Sequence, residues 1–284
     1  MAYLCPDMDI QISILRSLLK VREKHSHKGD YGHLLIVAGC RTMPGAAVLA
    51  TGAALQSGCG LVTLHSTERA LQATVVSFPS AMLSENTGAF FDRVPDRIGR
   101  YSAIAVGPGL GQAPETSKAL GNLIDSAREA GVPMVLDADA LNLLAADPSL
   151  LDRLPAGSVL TPHLGELRRL LPQPTEEAVR ALSSRTGSVV IVKGFRSRVF
   201  TPEGECLANT TGNPGMAKGG SGDVLTGLVG GLLARGYSAR EAACLGVWIH
   251  GFAGDSLTNR RTAEAYSSRD LIDSLYEGFA ALIM

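Results

Sequence analysis

The sequence predicts an α/β protein, with helices packed closely on a mostly parallel sheet, and three observations carry that reading. Between His33 and Val192, short apolar runs ending in glycine or a polar residue recur along the chain, with helical patterns between several of them. The composition suits tightly packed layers: 45% of the 284 residues are hydrophobic but only 5% are aromatic, with many Ala, Gly, Leu and Val. The third observation is the stretch Asn209 to Leu225, N-T-T-G-N-P-G-M-A-K-G-G-S-G-D-V-L, in which five glycines fall within eleven residues immediately before a helical pattern. A glycine-rich loop feeding a helix recurs where α/β folds hold anions.

In chain order, residues 1–26 form a polar lead-in, partly helical, with Ile12, Leu15, Leu18 and Leu19 on one stripe. His33 to Gly39 is the first buried strand, and Pro44 to Gln56 follows as a helix of small residues. Gly45 and Ala46 at its start leave room for a ligand near the backbone. Leu61 to His65 is a second strand. Ala103 to Val106 is a third, running into the turn Gly107-Pro-Gly-Leu-Gly111 ahead of a helix over about 115–130. Pro133 to Asp139 and Ser158 to His163 are strands that end in polar residues, and Val189 to Gly194 is another. Arg198 to Thr201 and Glu205 to Asn209 make a hairpin about the Pro202-Glu-Gly turn. A helix from Val224 to Ala234, one opened by the capping box of Ser238 and Glu241, and one over 268–282 complete the chain. No repeat or linker interrupts it, so a single domain over 1–284 is expected.

Charge and cysteine usage exclude several classes. A net charge of −1 and an isoelectric point near 6.6 give no sign of nucleic-acid or anionic-membrane binding. The five cysteines (Cys5, Cys40, Cys59, Cys206, Cys244) are odd in number and scattered, which suggests neither a disulfide framework nor a zinc site. The beginning of the sequence carries Asp7 and Asp9 and no basic-then-apolar segment, and no apolar run is long enough to span a bilayer. The expectation is a soluble cytoplasmic protein.

The glycine loop turns successive backbone N–H groups toward one point, where unpaired amides and the positive end of the helix dipole favour phosphate. Asp223 is the odd member, since a carboxylate there repels an anion unless it has its own task. It is either a base that takes a proton from an attacking hydroxyl or a plain helix cap. Strand ends elsewhere carry further candidates, because in open α/β sheets ligands bind at the carboxyl edge. His163 is a ligand contact or a structural hydrogen bonder, and Glu166 holds a hydrated magnesium ion or serves the start of a helix. Lys193 either reaches a nucleotide phosphate or caps its strand in solvent. Asp137 and Asp139 are a metal pair or, more simply, caps of the following helix. Lys218 is placed to counter phosphate charge, and Lys28-Gly-Asp-Tyr-Gly32 to close over a ligand. G-x-x-x-x-G-K-[ST] is absent, which argues against a P-loop NTPase.

Seven segments in one order, His27-Lys-Gly-Asp-Tyr-Gly32, Pro44-Gly-Ala-Ala47, Gly107-Pro-Gly-Leu-Gly111, Leu136-Asp-Ala-Asp-Ala-Leu-Asn142, Thr161-Pro-His-Leu-Gly-Glu166, Val192-Lys-Gly194 and Gly212 to Asp223, resemble the ADP/ATP-dependent NAD(P)H-hydrate dehydratases of the ribokinase-like superfamily. The resemblance spans about 27 to 255. It implies a three-layer α/β/α sandwich and, as substrate, the hydrated reduced nicotinamide dinucleotide, with ADP (or ATP) and Mg2+ as co-reactants. ADP is favoured because a stand-alone domain looks like bacterial members. Carried over by motif, Ala46, Gly109, His163 and Asp223 would contact the hydrate, with Asp223 as the catalytic base. Lys193, Gly194, Phe195, Arg196 and Ser197, together with Gly219, Gly220, Ser221 and Gly222, would hold the adenine nucleotide. Glu166 is the implied magnesium residue, although related kinases use Asn-x-x-Glu where this chain has His163-x-x-Glu166. Leu164 and Cys40 also depart from the family's usual proline and serine. A homo-oligomer is expected. The rival readings are a small-alcohol kinase of the same superfamily and a non-catalytic nucleotide-binding module.

Overall fold

A computed structural model of the chain describes residues 8–284. Cys5, Asp7 and the rest of the lead-in before Met8 lie outside the described residues. The strands are β1 (Met8–Asp9), β2 (His33–Val37), β3 (Leu61–Thr67), β4 (Met82–Asn86), β5 (Ala103–Val106), β6 (Met134–Leu136), β7 (Val159–Leu160), β8 (Val189–Val192), β9 (Arg198–Phe200) and β10 (Cys206–Ala208). The helices are α1 (Ile12–Leu18), α2 (Pro44–Gln56), α3 (Glu68–Ser77), α4 (Pro114–Ala130), α5 (Asp139–Ala146), α6 (Leu164–Leu170), α7 (Glu176–Thr186), α8 (Ser221–Ala234), α9 (Ala239–Thr258) and α10 (Ser268–Ile283).

The strands form one sheet in the order β1-β10-β9-β8-β7-β6-β5-β2-β3-β4. Neighbours are parallel except where β9 meets β8 and β10, and β9 and β10 form the expected hairpin. The order reverses direction between β5 and β2, and in such sheets that reversal opens a crevice at the carboxyl edge. Gly39 N donates to Pro108 O at 2.7 Å across this point, which joins the loops that follow β2 and β5.

Alternation along the strands divides the apolar residues between two layers. Leu34 and Ile36 of β2 pack with residues of α2, α8, α9 and α10, whereas Leu35 and Val37 pack with residues of α4, α5 and α7. The composition signal has a direct structural meaning at α8, which lies against both the sheet and α2. A Cβ on Gly227 would stand 1.9 Å from Ala50 O, so only glycine allows the two helices this approach. Gly227→Ala is expected to force them apart and lower stability by about 1–3 kcal/mol. A urea unfolding midpoint equal to the parent's would show instead that the helices have room.

α8 begins at Ser221, three residues before the expected start, with Gly220 at φ 91° as its N-cap. The apolar periodicity begins only at Val224, and the first turn was invisible because its residues serve the loop. β1 adds the lead-in to the sheet edge, parallel to β10, with Met8 opposite Leu207. No helix among the described residues is long and apolar enough to cross a membrane. Cys40, Cys59 and Cys244 are free thiols, and these three and Cys206 are buried.

Candidate active site

The first turn of α8 projects the amides of Gly222 and Asp223 without a backbone acceptor among the described residues, while Ser221 N donates to Lys218 O at 3.4 Å, and the loop before it is bolted down on two sides. Asp255 of α9 accepts from Gly212 N (2.8 Å) and Asn213 Nδ2 (3.1 Å). Asn213 Oδ1 accepts from Gly215 N (3.0 Å) and the Tyr266 hydroxyl (2.9 Å). Lys218 Nζ donates to the carbonyls of Tyr266 (2.6 Å) and Ala263 (3.2 Å) and lies over the Tyr266 ring. Its ammonium thus clamps the loop to the segment before α10, where the sequence suggested a counter-charge for phosphate. Ser268 Oγ completes the clamp by donating to Gly219 O at 2.7 Å. From the other side, buried His250 of α9 reaches Ser221 O with Nε2 at 2.9 Å. Burial pushes that imidazole down to about 4, so it is neutral and donates this bond.

Asp223 occupies the third position of α8 and is not the N-cap, which removes the plain capping role. Its half-buried carboxylate takes no hydrogen bond from any described residue. Burial pushes its pKa up to about 7, and the charges of Asp137, Asp139 and Glu166 add to the rise while Lys193 opposes it. A carboxylate poised near neutrality beside a helix start with free amides has the chemistry of a general base.

Beneath Asp223 lies a buried charge cluster. Asp137, at the end of β6, accepts from Lys193 Nζ at 2.5 Å and from Thr226 Oγ1 of α8 at 2.6 Å. Lys193 follows β8 and turns inward, so it does not cap the strand in solvent; its head sits beside Gly222, Asp137 and Glu166 at the edge of the cavity described below. Burial pulls its pKa down, yet the carboxylates of Asp137, Glu166 and Asp223 outweigh burial and leave it raised. Asp137 and Asp139 neither cap α5 nor act as a pair. Asp139 accepts from Gly111 N (2.9 Å) and Gln112 Nε2 (2.8 Å), tying down the turn after β5. The residue between them, Ala138, is held at φ 50°, a conformation that costs a non-glycine residue energy and separates the two carboxylates' directions.

His163 N-caps α6. Its Nδ1 accepts from Gly165 N (2.9 Å) and Glu166 N (3.2 Å), which leaves the proton on Nε2, 3.3 Å from Glu166 Oε1. Glu166 Oε2 accepts from His163 N at 2.8 Å, completing a capping box. Both bland readings are therefore real, and they leave the imidazole half exposed at the crevice.

A cavity of about 600 Å³ opens beside α8, and Lys193, Gly194, Phe195, Arg196, Ser197, Ser221 and Gly222 all line it. His163 lines it too. Gly219 and Gly220 stand back, Gly219 held by Ser268 and Gly220 packed on Leu49 of α2. Ala46 and Gly109 face each other across the switch point, where a Cβ on Gly109 would lie 2.8 Å from that of Ala46. The cavity thus gathers His163, Lys193 to Ser197, Ser221 and Gly222, whereas Ala46, Gly109 and Asp223 are not among its lining. Lys28-Gly-Asp-Tyr-Gly32 is elsewhere: it is a turn ahead of β2 whose Gly32 packs on Ala234 O at the far end of α8, roughly 20 Å away by the helix rise. Its task is structural. Sequence reasoning missed Thr226, His250 and Asp255, which carry no motif of their own; only helical spacing from Asp223 hinted at Thr226.

A switch-point crevice beside the glycine-capped start of α8, in this layered arrangement, defines a ribokinase-like α/β/α protein. The chain belongs to the NAD(P)H-hydrate dehydratase family, whose family model matches residues 34–277. It is 38% identical over 248 residues to the ADP-dependent (S)-NAD(P)H-hydrate dehydratase of Neisseria meningitidis, covering 84% of this chain and 81% of that one. It is 37% identical over 278 residues to the bifunctional NAD(P)H-hydrate repair enzyme of Moorella thermoacetica, covering 92% of this chain. The chain spans about half the length (51%) of that relative. Among solved structures, the ADP/ATP-dependent NAD(P)H-hydrate dehydratase of Bacillus subtilis, co-crystallised with ATP/Mg2+, superposes with a TM-score of 0.86 at 29% identity, covering 98% and 99% of the two chains.

Proposed function

We propose that the chain is an ADP-dependent (S)-NAD(P)H-hydrate dehydratase, which returns hydrated NADH or NADPH to the reduced dinucleotide with release of AMP and phosphate. The observation that carries the reading is Asp223, an unpaired carboxylate poised near neutrality at the start of α8, between a nucleotide-sized cavity and the Ala46–Gly109 wall. Hydroxide is a poor leaving group, so the hydrate's ring hydroxyl must first be made a better one. Asp223 takes the hydroxyl proton as the oxygen attacks the terminal phosphoryl group of ADP, and AMP leaves with the bridging electron pair. The phosphate ester then departs, pushed by the ring nitrogen's lone pair, and loss of the neighbouring ring proton restores the dihydropyridine. General-base help of this kind is worth roughly 10²–10⁴-fold, and each well-placed amide on the phosphoryl oxygens contributes a few kcal/mol.

The residues fit magnesium carried on the nucleotide rather than an ion held by protein alone. Among the described residues no group of three His, Cys, Asp or Glu side chains is placed to hold a metal, and Asp137 and Glu166 already accept bonds from Lys193, Thr226 and His163. Magnesium usually keeps several waters and binds through one or two carboxylates plus phosphates, so Glu166 would hold its water shell and the ion would neutralise phosphate charge. Lys193 to Ser197 would line the nucleotide, with Gly219 to Gly222 supplying the phosphate-facing loop; His163 would meet the hydrate. A cytoplasmic location follows from this substrate, which forms where reduced dinucleotides are used.

The test mixes purified protein with NADH or NADPH hydrate, magnesium and either ADP or ATP, and follows the return of dihydronicotinamide absorbance. Recovery with ADP supports the reading; a stable phosphate ester without recovery would make the protein a small-alcohol kinase instead. The rate should also carry the signature of its base. Because Asp223 acts only when ionised, kcat/KM is expected to rise about tenfold per pH unit below its pKa of about 7 and level off above it. A profile flat from pH 5 to pH 8 would remove Asp223 from the proton transfer.

A further inference from the structure

The walls described above engage one end of a dinucleotide, and its diphosphate still needs a partner. Around Asp223 the charge is already negative: Asp137, Asp139, Glu166 and Asp223 face a single Lys193. With an adenine nucleotide also present, a second polyanion is repelled from that half of the crevice. Its phosphates must run past Ala46 and Gly109, toward the ends of β2 and β3.

Three exposed arginines ring that end of the sheet. Arg41 follows β2, two residues before Met43, whose backbone packs on Gly109. Arg41 N donates to Ala89 O at 3.3 Å, which brings the loop after β4 against it. Arg69, in the first turn of α3, donates from Nη1 to Arg41 O at 3.4 Å. Arg93, in the loop after β4, has its carbonyl 3.1 Å from Nε2 of His65, a buried residue of β3. None of the three guanidinium groups meets a carboxylate among the described residues, whereas Arg153, Arg180, Arg240 and Arg260 all do. The acids of this rim are Glu85, Glu68, which accepts from Gln72 at 2.9 Å, and Asp92, whose carboxylate lies against Gly88. The loop itself is shaped, not slack: Asn86 Nδ2 donates to Phe90 O at 2.5 Å and Asn86 Oδ1 accepts from Asp92 N at 3.2 Å. That shape sets the partly exposed Phe90 ring on Gly111, where a Cβ would lie 2.9 Å from the ring.

We propose that Arg41, Arg69 and Arg93, with Phe90 beside them, form the subsite that holds the phosphates of the distal half of the dinucleotide. Guanidinium groups match phosphate oxygens two at a time, and an exposed aromatic ring next to them offers a face to a base. The inference rests on the proposed function for its ligand, and it extends the site to residues that none of the family's motifs contains.

The test reads binding separately from turnover. NADPH, which fluoresces, is titrated into the parent protein, into Arg41→Ala and into Arg41→Ala/Arg69→Ala, and reduced nicotinamide mononucleotide, which lacks the distal half, is titrated in parallel. The double variant is expected to bind NADPH at least about tenfold more weakly, to bind the mononucleotide as the parent does, and to keep the parent's KM for ADP. The parent's NADPH affinity should fall with added salt and the double variant's much less. NADPH affinity within about twofold of the parent's, an equal loss for the mononucleotide, or no NADPH binding by the parent would each overturn the subsite. A parent protein that binds NADPH in this arginine-dependent way yet repairs no hydrate would sustain the subsite and defeat the dehydratase reading instead. All three arginines are exposed, so an unchanged Tm is expected to show that the variants remain folded.

Discussion

Asp223→Asn is expected to abolish hydrate repair while leaving nucleotide binding intact, and to make the protein more stable. The loss follows from the removal of the base: at least 10²-fold in kcat, with little change in the KM for ADP. The gain follows from the sign of the linkage. Asp223 has a folded pKa of about 7 against 3.8 for an ordinary Asp, so the folded state holds its proton more tightly. That contribution to stability is fully present below pH 3.8 and is lost as pH rises through 7, because ionisation then costs the folded protein its favoured form. Each pKa unit corresponds to about 1.4 kcal/mol, and solvent access to the half-buried carboxylate brings the total at pH 8 to roughly 2–4 kcal/mol. The amide escapes the cost. Its Tm should exceed the parent's by about 4–8 °C at pH 8, at about 2 °C per kcal/mol, and the gap should shrink toward pH 4. A variant no more stable than the parent at pH 8 would mean that the carboxylate is comfortably solvated, and with it the account of a base tuned by burial would fall.

Lys193→Met is the second large effect. Among the described residues Lys193 is the one lysine or arginine within the Asp137, Glu166 and Asp223 cluster, and Asp137 is 1% exposed. Removing the ammonium leaves Asp137 with Thr226 alone, and breaking one side of a buried pair costs about 3–5 kcal/mol, at the lower end here because the lysine keeps some solvent contact. The double substitution Lys193→Met with Asp137→Asn should recover much of that loss, since the uncompensated charge goes with it. Urea unfolding of the four proteins gives the coupling directly. Additive effects would show that the two side chains stand independently. The single variant should also move the rise of the pH profile above the parent's position, because Lys193 opposes the upward shift at Asp223.

Much of this was readable in the chain because the buried strands advertise themselves. His33–Val37, Ala103–Val106 and Val189–Val192 are apolar on both faces and end in glycine or a polar turn. β4 and α3 were not read, since β4 is an edge strand with Met82 and Leu83 exposed and Glu85 between polar neighbours, a pattern that resembles a loop. α7 went unread for the complementary reason, being polar outside, whereas α6 was foreseen only through Glu166 at its start, its extent and the cap from His163 being left to geometry. The glycine loop was legible as a glycine-rich turn into a helix because backbone exposure leaves a compositional trace. Its supports were not. Lys218 reads as a phosphate ligand until its carbonyl partners are seen, and Asp137 reads as a cap until Thr226 and Lys193 close on it from elements 89 and 56 residues away.

The pairing of β1 with β10 sets an order of events in the cell. Met8 lies opposite Leu207, so β1 has no neighbour until roughly 200 residues more have been made, on the order of 10–40 s at ordinary synthesis rates. During that interval the remaining strands can assemble outward from β2 and β5, but the β10 edge does not yet exist. The segment that carries β1 is therefore fastened late, as the closing stitch of a sheet otherwise finished without it. Asp9, which meets Arg196 beside the cavity, arrives with it, so a newly made chain gains that contact at the cavity's edge only when β1 and β10 meet.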